Sequence, residues 1–198
     1  MKGILLAAGF ARRFGSQKLL ARLPDGRCVI EAAAQNLFDA IGRENVVAVV
    51  GGDAALISVL DKCGCEIVIN SEAENGMGSS IAAGVRASQH AAGWLIALGD
   101  MPHVSPGTIA LVGDVLKHGA GIVIPTFKIA RGHPVAFATE FLDTLMALRG
   151  DQGARSVVAT MEAADPRRIN YLPVDDAGVL ADIDSPDDLL ALTIPHQS

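Results

Sequence analysis

Residues 3–20 read GILLAAGFARRFGSQKLL, so that an apolar run is followed at once by a cluster of positive charge. The run GILLAA ends at a glycine, which is typical of a strand buried on both faces, as in a parallel sheet. Two arginines and a lysine come next. Small residues let backbone approach a ligand closely, and together with three cations they suit a polyphosphate. A solvated basic loop is the alternative.

Short apolar runs alternate with segments of helical length along the rest of the chain. The predicted strands cover residues 3–8, 46–51, 66–70, 94–99 and 121–125, and the predicted helices cover residues 29–40, 53–62, 78–91, 105–117 and a segment that starts at Ser185. This alternation predicts an α/β fold, a Rossmann-like three-layer sandwich with a mostly parallel central sheet. The length predicts a single domain over residues 1–198, in which about 126–160 forms an excursion that covers one end of the sheet.

Composition excludes several classes of protein. A net charge of −6 argues against a nucleic-acid surface, although it leaves room for a small anionic ligand. The apolar runs are shorter than the ~18–20 residues that cross a bilayer, so we expect no membrane span. The three cysteines, Cys28, Cys63 and Cys65, predict free thiols in a reducing cytoplasm. A metal-binding Cys63–Cys65 pair is the alternative.

The candidate site lies at one edge of the predicted sheet. Ligands of open α/β sheets bind at the carboxyl ends of the strands. The segment from Ala7 to Lys18 leaves the first strand at that edge, and Asp100 follows the fourth strand there. Gly9 and Gly15 do not have the spacing of a P-loop or of a dinucleotide fingerprint. Asp100 suits a metal ligand, with a turn or helix cap as the alternative role.

Several motifs resemble those of one enzyme family, the MobA-like nucleotidyltransferases. LAAGFARRFGSQK resembles the family signature L-A-x-G-x-x-x-R-x-G-x-x-K, although Ala11 stands where serine or glycine is common. Further motifs follow in the family's order: ENGMGSSIAAG (74–84), ALGDMP (97–102), RGHPVAF (131–137), GDQGAR (150–155) and DIDSPDDL (182–189). The chain is most similar to the molybdenum cofactor cytidylyltransferases, which join CMP to molybdopterin-bound molybdenum and release pyrophosphate.

The resemblance implies the fold of nucleotide-diphospho-sugar transferases and a Mg²⁺-dependent reaction with CTP. Arg13 and Lys18 would hold the β- and γ-phosphates, and with Asp100 they form the implied catalytic set. The LAAG form with Ala8 goes with cytidine. The role of Arg12 stays open between phosphate contact and solvated surface. The implied nucleotide-binding residues are Leu6, Ala7, Ala8, Gly9, Arg13, Lys18, Gly78 and Ser79.

The same resemblance implies a metal site and an acceptor site. Asp100 and Asp184 are the implied metal ligands. Asp182 is an alternative second ligand, because it shares a face with Asp184 on an extended segment. The implied acceptor-binding residues are Arg131, His133, Asp151 and Arg155. His133 has the alternative role of shaping its loop.

The implied substrates are CTP and molybdopterin, and the implied partner is a recipient molybdoenzyme or its chaperone. Another small phosphorylated acceptor, with cytidylyl or guanylyl transfer, remains an alternative within the same fold. A non-catalytic molybdopterin carrier is an alternative of a different class. A full set of phosphate and metal residues argues against the carrier, since a carrier needs no triphosphate site.

Overall fold

The computed structural model describes residues 1–9, 18–151 and 153–191, with Leu190 and Ala191 described by their backbone alone. The strands are β1 (Lys2–Ala7), β2 (Val46–Val50), β3 (Glu66–Ile69), β4 (Trp94–Leu98), β5 (Ile122–Phe127), β6 (Ala130–Arg131), β7 (Val135–Phe137) and β8 (Ile169–Pro173). The α-helices are α1 (Val29–Ile41), α2 (Ala54–Cys63), α3 (Met77–Ala87), α4 (Pro106–Lys117), α5 (Leu142–Met146), α6 (Arg155–Ala164) and α7 (Pro186–Ala191). Strands and helices therefore alternate through most of the described chain.

These strands form one sheet with β1 inside a parallel group. β1 pairs in parallel with β2 and β4, β2 pairs in parallel with β3, and β5 pairs in parallel with β8. The antiparallel pairs join β7 to both β4 and β5, and β6 to β5. The predicted α/β fold with a mostly parallel central sheet is confirmed.

The burial of β1 shows why its sequence is apolar without alternation. Successive side chains of a strand point to opposite faces of the sheet, and Ile4 and Leu5 are both fully buried. Leu5 packs into a core formed with α1, α2 and α4, whereas Ile4 packs into a second core formed with α3, α5 and α6. Two helical layers thus cover the two faces of the sheet.

Three strands of the described chain were not expected from the sequence pattern, the two-residue β6 and the longer β7 and β8. β7 has only three residues and lies inside the sheet, between β4 and β5. β8 exposes Asn170 and Tyr171 and pairs with β5 along its whole length. Neither β7 nor β8 has the long apolar run that identifies a buried parallel strand, since β7 is short and β8 is half exposed.

One predicted helix ends earlier than expected. α3 ends at Ala87, although the sequence pattern extends it to residue 91. Ser88 leaves the helical conformation, and its hydroxyl donates to the Gly84 carbonyl at 2.7 Å and accepts from Trp94 Nε1 at 3.1 Å. A side chain that bonds to the backbone in this way competes with helix continuation.

The three cysteines are free thiols, as predicted. Cys28 and Cys65 are buried, and burial raises the pKa of Cys65 to about 12. A thiol with so high a pKa is a poor metal ligand, because metals bind the thiolate. No helix in the described part of the chain has the length and apolar character needed to cross a membrane.

Candidate active site

Three side chains from distant parts of the sequence meet at the carboxyl ends of β1 and β4. Lys18 begins a short 3₁₀-helix after β1, and its Nζ lies 2.7 Å from Asp100 Oδ2 and 2.8 Å from Asp184 Oδ1. Asp100 follows β4 by two residues, and Asp184 is 166 positions after Lys18. The structure therefore brings together three of the residues that the sequence predicts for one site.

The charges of these groups stabilise the ionised lysine. Burial lowers the pKa of Lys18, but hydrogen bonds and charges from Asp100 and Asp184 outweigh this effect, and the pKa of Lys18 is raised. Burial raises the pKa of Asp182, and the nearby charges of Asp184 and Asp100 raise it further, while Lys18 opposes them. The carboxylates of Asp100, Asp182 and Asp184 thus lie within electrostatic range of the Lys18 ammonium. Of the two alternative ligands Asp182 and Asp184, Asp184 is the one that bonds to Lys18.

Backbone hydrogen bonds fix the two aspartates that contact Lys18. The Ile183 N–H donates to the Asp100 carbonyl at 2.9 Å, which ties the segment before Asp184 to the end of β4. The backbone N–H groups of Asp184 and Ser185 both donate to Asp188 Oδ2, at 2.9 and 2.7 Å. These bonds fix the distance between the Asp100 and Asp184 backbones. Lys18 therefore bridges two carboxylates whose backbones are already held by other hydrogen bonds.

Residues 174–185, which we call the closing segment, carry Asp184 across this edge of the sheet. Asp176 accepts from Gly178 N at 2.9 Å and from Ser105 N at 2.9 Å. Val179 accepts from His133 N at 2.9 Å. A Cβ atom at Gly178 would lie 2.1 Å from the His103 carbonyl oxygen, so only glycine fits this approach. The closing segment is therefore anchored at several points before it reaches Asp184.

A cavity of about 390 Å³ opens beside the three-residue cluster. Its wall includes Asp100 and three of the predicted nucleotide residues, Leu6, Ala8 and Gly9. Its other polar side chains are Glu74, Ser80 and Asp151. A larger cavity of about 570 Å³ lies at the opposite edge of the sheet, around the end of α4 and the start of β8, and it contains none of the predicted site residues. The smaller cavity is the better candidate because it adjoins the charged cluster.

The first turn of α3 packs tightly against residues 149–151. Gly76 has φ +96°, and a Cβ atom there would lie 2.4 Å from Asp151 Oδ1. A Cβ atom at Gly78 would lie 2.8 Å from the Arg149 carbonyl carbon. The Gly78 N–H donates to the Gly150 carbonyl at 2.9 Å. Asp151, predicted for the acceptor, therefore stands beside α3 in the same cavity wall as Ala8 and Gly9.

The serines of this turn have different surroundings. The Ser79 hydroxyl is buried, lies 2.8 Å from the Glu72 carbonyl oxygen and accepts from Asn70 Nδ2 at 2.9 Å. Ser80 also accepts from Asn70 Nδ2, at 3.0 Å, and lines the cavity. The structure thus places Ser79 in an internal network and Ser80 at the cavity, and a nucleotide contact of Gly78 or Ser79 stays a prediction.

The remaining predicted acceptor residues fall into two places. His133 is largely buried, and its Nδ1 has no hydrogen-bond partner among the described residues. Burial lowers the pKa of His133, the charge of Asp100 raises it and the charge of Arg155 lowers it. Arg131 instead stands in a surface cluster, where it bonds Glu162 at 2.6 Å and lies over the Tyr171 ring at 4.9 Å.

Arg13 and Arg12 lie outside the described residues, so their predicted roles stay predictions. The sequence did not single out Glu74 as a site residue, and Asp188 lies simply within the helix that the sequence predicts from Ser185. Glu74 belongs to the motif ENGMGSS, which is the signal that links it to the cavity. Asp188 follows Ser185 by three residues, a spacing at which an acidic side chain reaches back to the start of a helix.

The cluster suits a divalent cation that is shared with a ligand. Within residues 1–9, 18–151 and 153–191, no group of three or more His, Cys, Asp or Glu side chains is placed to hold a metal ion. Mg²⁺ commonly binds one or two carboxylates together with water and substrate phosphates. Asp100 and Asp184, which already hold one positive charge between them, fit that donor set.

Comparison with known proteins identifies relatives over almost the whole chain. Residues 3–166 match the family model of the MobA-like NTP transferase domain. Nicotine blue oxidoreductase of Paenarthrobacter nicotinovorans is 27% identical, over 96% of this chain and 95% of that protein. Purine catabolism protein PucB of Bacillus subtilis (strain 168) is 27% identical, over 94% of this chain and 92% of that protein.

Solved structures show the same architecture. Rv0371c from Mycobacterium tuberculosis H37Rv is 27% identical with a TM-score of 0.80, and the match covers 97% of each chain. A structure of the same protein in complex with manganese has a TM-score of 0.74 and covers 96% of each chain. Molybdopterin-guanine dinucleotide biosynthesis protein A from Archaeoglobus fulgidus, at 20% identity, has a TM-score of 0.67 over 96% of each chain, a likeness of fold.

Proposed function

The chain belongs to the family of MobA-like NTP transferase domains, and from that premise we propose that it transfers CMP from CTP to molybdopterin-bound molybdenum cofactor. Family membership makes the chain a nucleotidyltransferase. The finer proposal rests on one observation above all. Lys18 bridges Asp100 and Asp184 beside a cavity whose wall includes Ala8 and Gly9.

The proposed reaction is an in-line displacement at the α-phosphorus of CTP. A phosphate oxygen of the acceptor forms the new P–O bond, and the bond to the β-phosphate oxygen breaks, so that pyrophosphate leaves with the electron pair. Lys18 contacts the phosphates and stabilises the charge that grows on the leaving group. Ala8 has only a methyl side chain and Gly9 has none, so their backbone lets the triphosphate lie close to the end of β1.

Asp100 and Asp184 would hold a Mg²⁺ ion together with phosphate oxygens of CTP. A bound Mg²⁺ would supply charge neutralisation and orientation of the triphosphate. The manganese complex of Rv0371c supports the use of a divalent cation by a relative that is 27% identical. The Ile183 and Asp188 hydrogen bonds hold the backbones of the two aspartates, so both carboxylates are carried on anchored segments.

The cavity supports a base that carries an amino group. Glu74 and Asp151 provide carboxylate acceptors on its wall, and Ser80 provides a hydroxyl. A carboxylate accepts from the exocyclic amine of cytosine, as it does from the amine of any amino-bearing base. The choice of CTP over GTP therefore rests on the LAAG form at Ala8, which goes with cytidine in the family that the sequence resembles.

The acceptor is proposed to approach from the side of His133 and Arg155. The charges of Asp100 and Arg155 both act on the pKa of His133, which supports this direction of approach. The Arg155 guanidinium offers a planar pair of donors for an acceptor phosphate. The unpartnered Nδ1 of His133 offers one more polar contact. Arg131 contributes less to this proposal, because Glu162 already neutralises it.

The test is pyrophosphate release by the purified protein with Mg²⁺ and molybdopterin carrying molybdenum. Separate reactions contain CTP, GTP or ATP. We expect release with CTP alone, and an Arg131→Ala variant should match the wild type because its guanidinium lies outside the cavity wall. CTP binding without release of pyrophosphate would contradict the proposal and favour another phosphorylated acceptor or a carrier.

A second candidate comes from the relative named nicotine blue oxidoreductase. A cavity large enough for a nucleoside triphosphate would also have room for part of a reduced nicotinamide nucleotide. The carboxylate pair around Lys18 favours the transferase, since hydride transfer does not require two carboxylates around an ammonium group. Loss of NADPH absorbance with an oxidised aromatic substrate, in the absence of pyrophosphate release, would favour the oxidoreductase instead.

A further inference from the structure

We propose that the Lys18 ammonium is a built-in competitor for the divalent cation, so that the metal binds well only when a triphosphate draws Lys18 away. This inference rests on the metal site of the proposed function. It adds that the metal ion and the nucleotide bind together. Free metal ion alone binds weakly, because the lysine holds the same two carboxylates.

The first step of the inference is the geometry of the ammonium. Lys18 Nζ contacts Asp100 Oδ2 at 2.7 Å and Asp184 Oδ1 at 2.8 Å. A magnesium ion on those carboxylates requires oxygen distances of about 2.0–2.1 Å. Two cations on one pair of carboxylates repel each other strongly at such short range. The ammonium and the metal ion therefore cannot both keep close contacts to the Asp100 and Asp184 carboxylates at the same time.

The second step is that the aspartates are carried on anchored backbone, whereas the lysine charge lies at the end of a long side chain. Asp100 is tied through its carbonyl to Ile183 N, and Asp184 is tied through its N–H to Asp188. Lys18, in contrast, carries its charge on a flexible four-carbon stem. The Lys18 side chain is 17% exposed, and Asp100, one of the two carboxylates that it contacts, lines the neighbouring cavity. Displacement by a metal ion would move the lysine and leave the aspartates in place.

The third step is a destination for the displaced ammonium. The cavity beside Asp100 includes the backbone of Ala8 and Gly9 at the end of β1, where the proposed triphosphate lies. Phosphate oxygens accept charge-assisted hydrogen bonds from an ammonium and also complete the shell of a Mg²⁺ ion. A triphosphate thus gives Lys18 a new partner while its oxygens help to hold the metal.

The test measures Mn²⁺ binding to the whole protein in the absence of nucleotide. The free Mn²⁺ signal in electron paramagnetic resonance gives the Kd directly. We expect Lys18→Met to bind Mn²⁺ on the order of tenfold more tightly than the wild type, since a unit positive charge is removed from the two carboxylates. Lys18→Arg keeps the charge and should retain the weak binding. Lys117→Met is the matched control, because Lys117 pairs with Asp114 on the surface, away from the cluster.

The same variant should have the opposite effect on the metal–nucleotide complex. Lys18→Met loses a phosphate contact, so we expect weaker binding of Mn²⁺-CTP than in the wild type. A change in opposite directions for Mn²⁺ and for Mn²⁺-CTP is the signature of competition. Circular dichroism melting confirms that each variant is folded.

Equal or weaker Mn²⁺ binding by Lys18→Met would overturn this inference. The Asp100→Asn variant separates that failure from failure of the proposed function. If Asp100→Asn abolishes Mn²⁺ binding while Lys18→Met leaves the Kd unchanged, the metal site stands and the competition falls. If neither the wild type nor Lys18→Met binds Mn²⁺, with or without CTP, the inference and the metal site of the proposed function fall together.

Discussion

At the scale of single residues, the proposed function depends on where three charges meet. Asp100 comes two residues after the end of β4, and Lys18 belongs to the motif that leaves β1, so the sequence could place both at the carboxyl edge of the sheet. Asp184 follows no strand, and only the motif DIDSPDDL linked it to the same site. Asp188 accepts a hydrogen bond from the Asp184 backbone N–H. The sequence predicts only a helix at this position, because the pattern does not show which backbone groups the Asp188 carboxylate contacts.

We predict that Asp100→Asn lowers Mg²⁺-dependent pyrophosphate release by on the order of 10²–10³-fold or more, in the range seen when a group that stabilises transition-state charge is removed. The amide keeps the shape of the carboxylate but loses its charge. The fold should persist, since Ile183 bonds to the backbone carbonyl of residue 100. Initial rates and melting temperature measure the two effects. Asp114→Asn serves as the control, because Asp114 pairs with Lys117 on the surface. A near-wild-type rate for Asp100→Asn would show that the metal assignment is wrong.

His103 should make stability depend on pH. Burial lowers the pKa of His103, partly opposed by Asp25, and Nε2 of His103 has no hydrogen-bond partner in the part of the chain that the structure describes. The unfolded chain therefore takes up this proton at a higher pH than the folded chain. Stability is full above about 6.5, the usual pKa of histidine, and is lost as the pH falls through the lower pKa of the folded state.

We predict that His103→Leu reduces the fall in melting temperature between about pH 7.5 and pH 5.5. The dependence should be reduced and not abolished, because burial also lowers the pKa of His133. His90→Leu changes an exposed histidine and should keep the wild-type pH dependence. An identical pH dependence in His103→Leu and the wild type would show that His103 does not contribute.

At the scale of elements, α3 and the loop after α5 form one wall of the cavity. The sequence predicted α3 from its small and apolar residues, but no local pattern shows that residues 149–151 pack on its first turn. That contact, which joins segments more than seventy residues apart, decides that Asp151 and Ser80 face the same cavity. The sequence could therefore predict the helix, while the shape of the site came from tertiary packing.

We predict that Gly78→Ala destabilises the protein by about 1–3 kcal/mol, the usual cost of overpacking. The added Cβ would lie 2.8–2.9 Å from three backbone atoms of Arg149, so the loop must move. Urea denaturation measures the free energy of unfolding. Gly107→Ala is the control in α4, where the nearest atom to an added Cβ is Ser105 Oγ at 3.5 Å. Equal free energies of unfolding for Gly78→Ala and Gly107→Ala would mean that residues 149–151 move aside without destabilising the protein.

At the scale of the whole molecule, the site joins the beginning of the sheet to the closing segment. β1 carries Ala7 and leads to Lys18, β4 leads to Asp100, and the closing segment brings Asp184. Apolar runs and their lengths predicted most of the strands and most of the helices. They did not predict β7 and β8, because the pairing of these strands with β5 depends on neighbours that are distant in the sequence.

A ligand that contacts all these segments should stabilise the entire fold. We predict that Mg²⁺ with CTP at about 100 times its Kd adds about 2.7 kcal/mol to the free energy of unfolding. For a chain of this size, 1 kcal/mol corresponds to roughly 2–4 °C in melting temperature. Differential scanning fluorimetry should show a rise with Mg²⁺-CTP that Asp100→Asn lacks, and cytidine with Mg²⁺ serves as the control without phosphates. A wild-type melting curve that Mg²⁺-CTP leaves unchanged would contradict binding at this site.

The distance along the chain between Lys18 and Asp184 also has a consequence for protein synthesis. Asp184 is translated 166 residues after the lysine that it contacts, when every strand seen in residues 1–9, 18–151 and 153–191 has already left the peptidyl-transferase centre. A nascent chain that stops earlier contains much of the sheet and lacks one of the two carboxylates. The order of translation thus delays completion of the charged cluster until nearly all of the described chain has been synthesised.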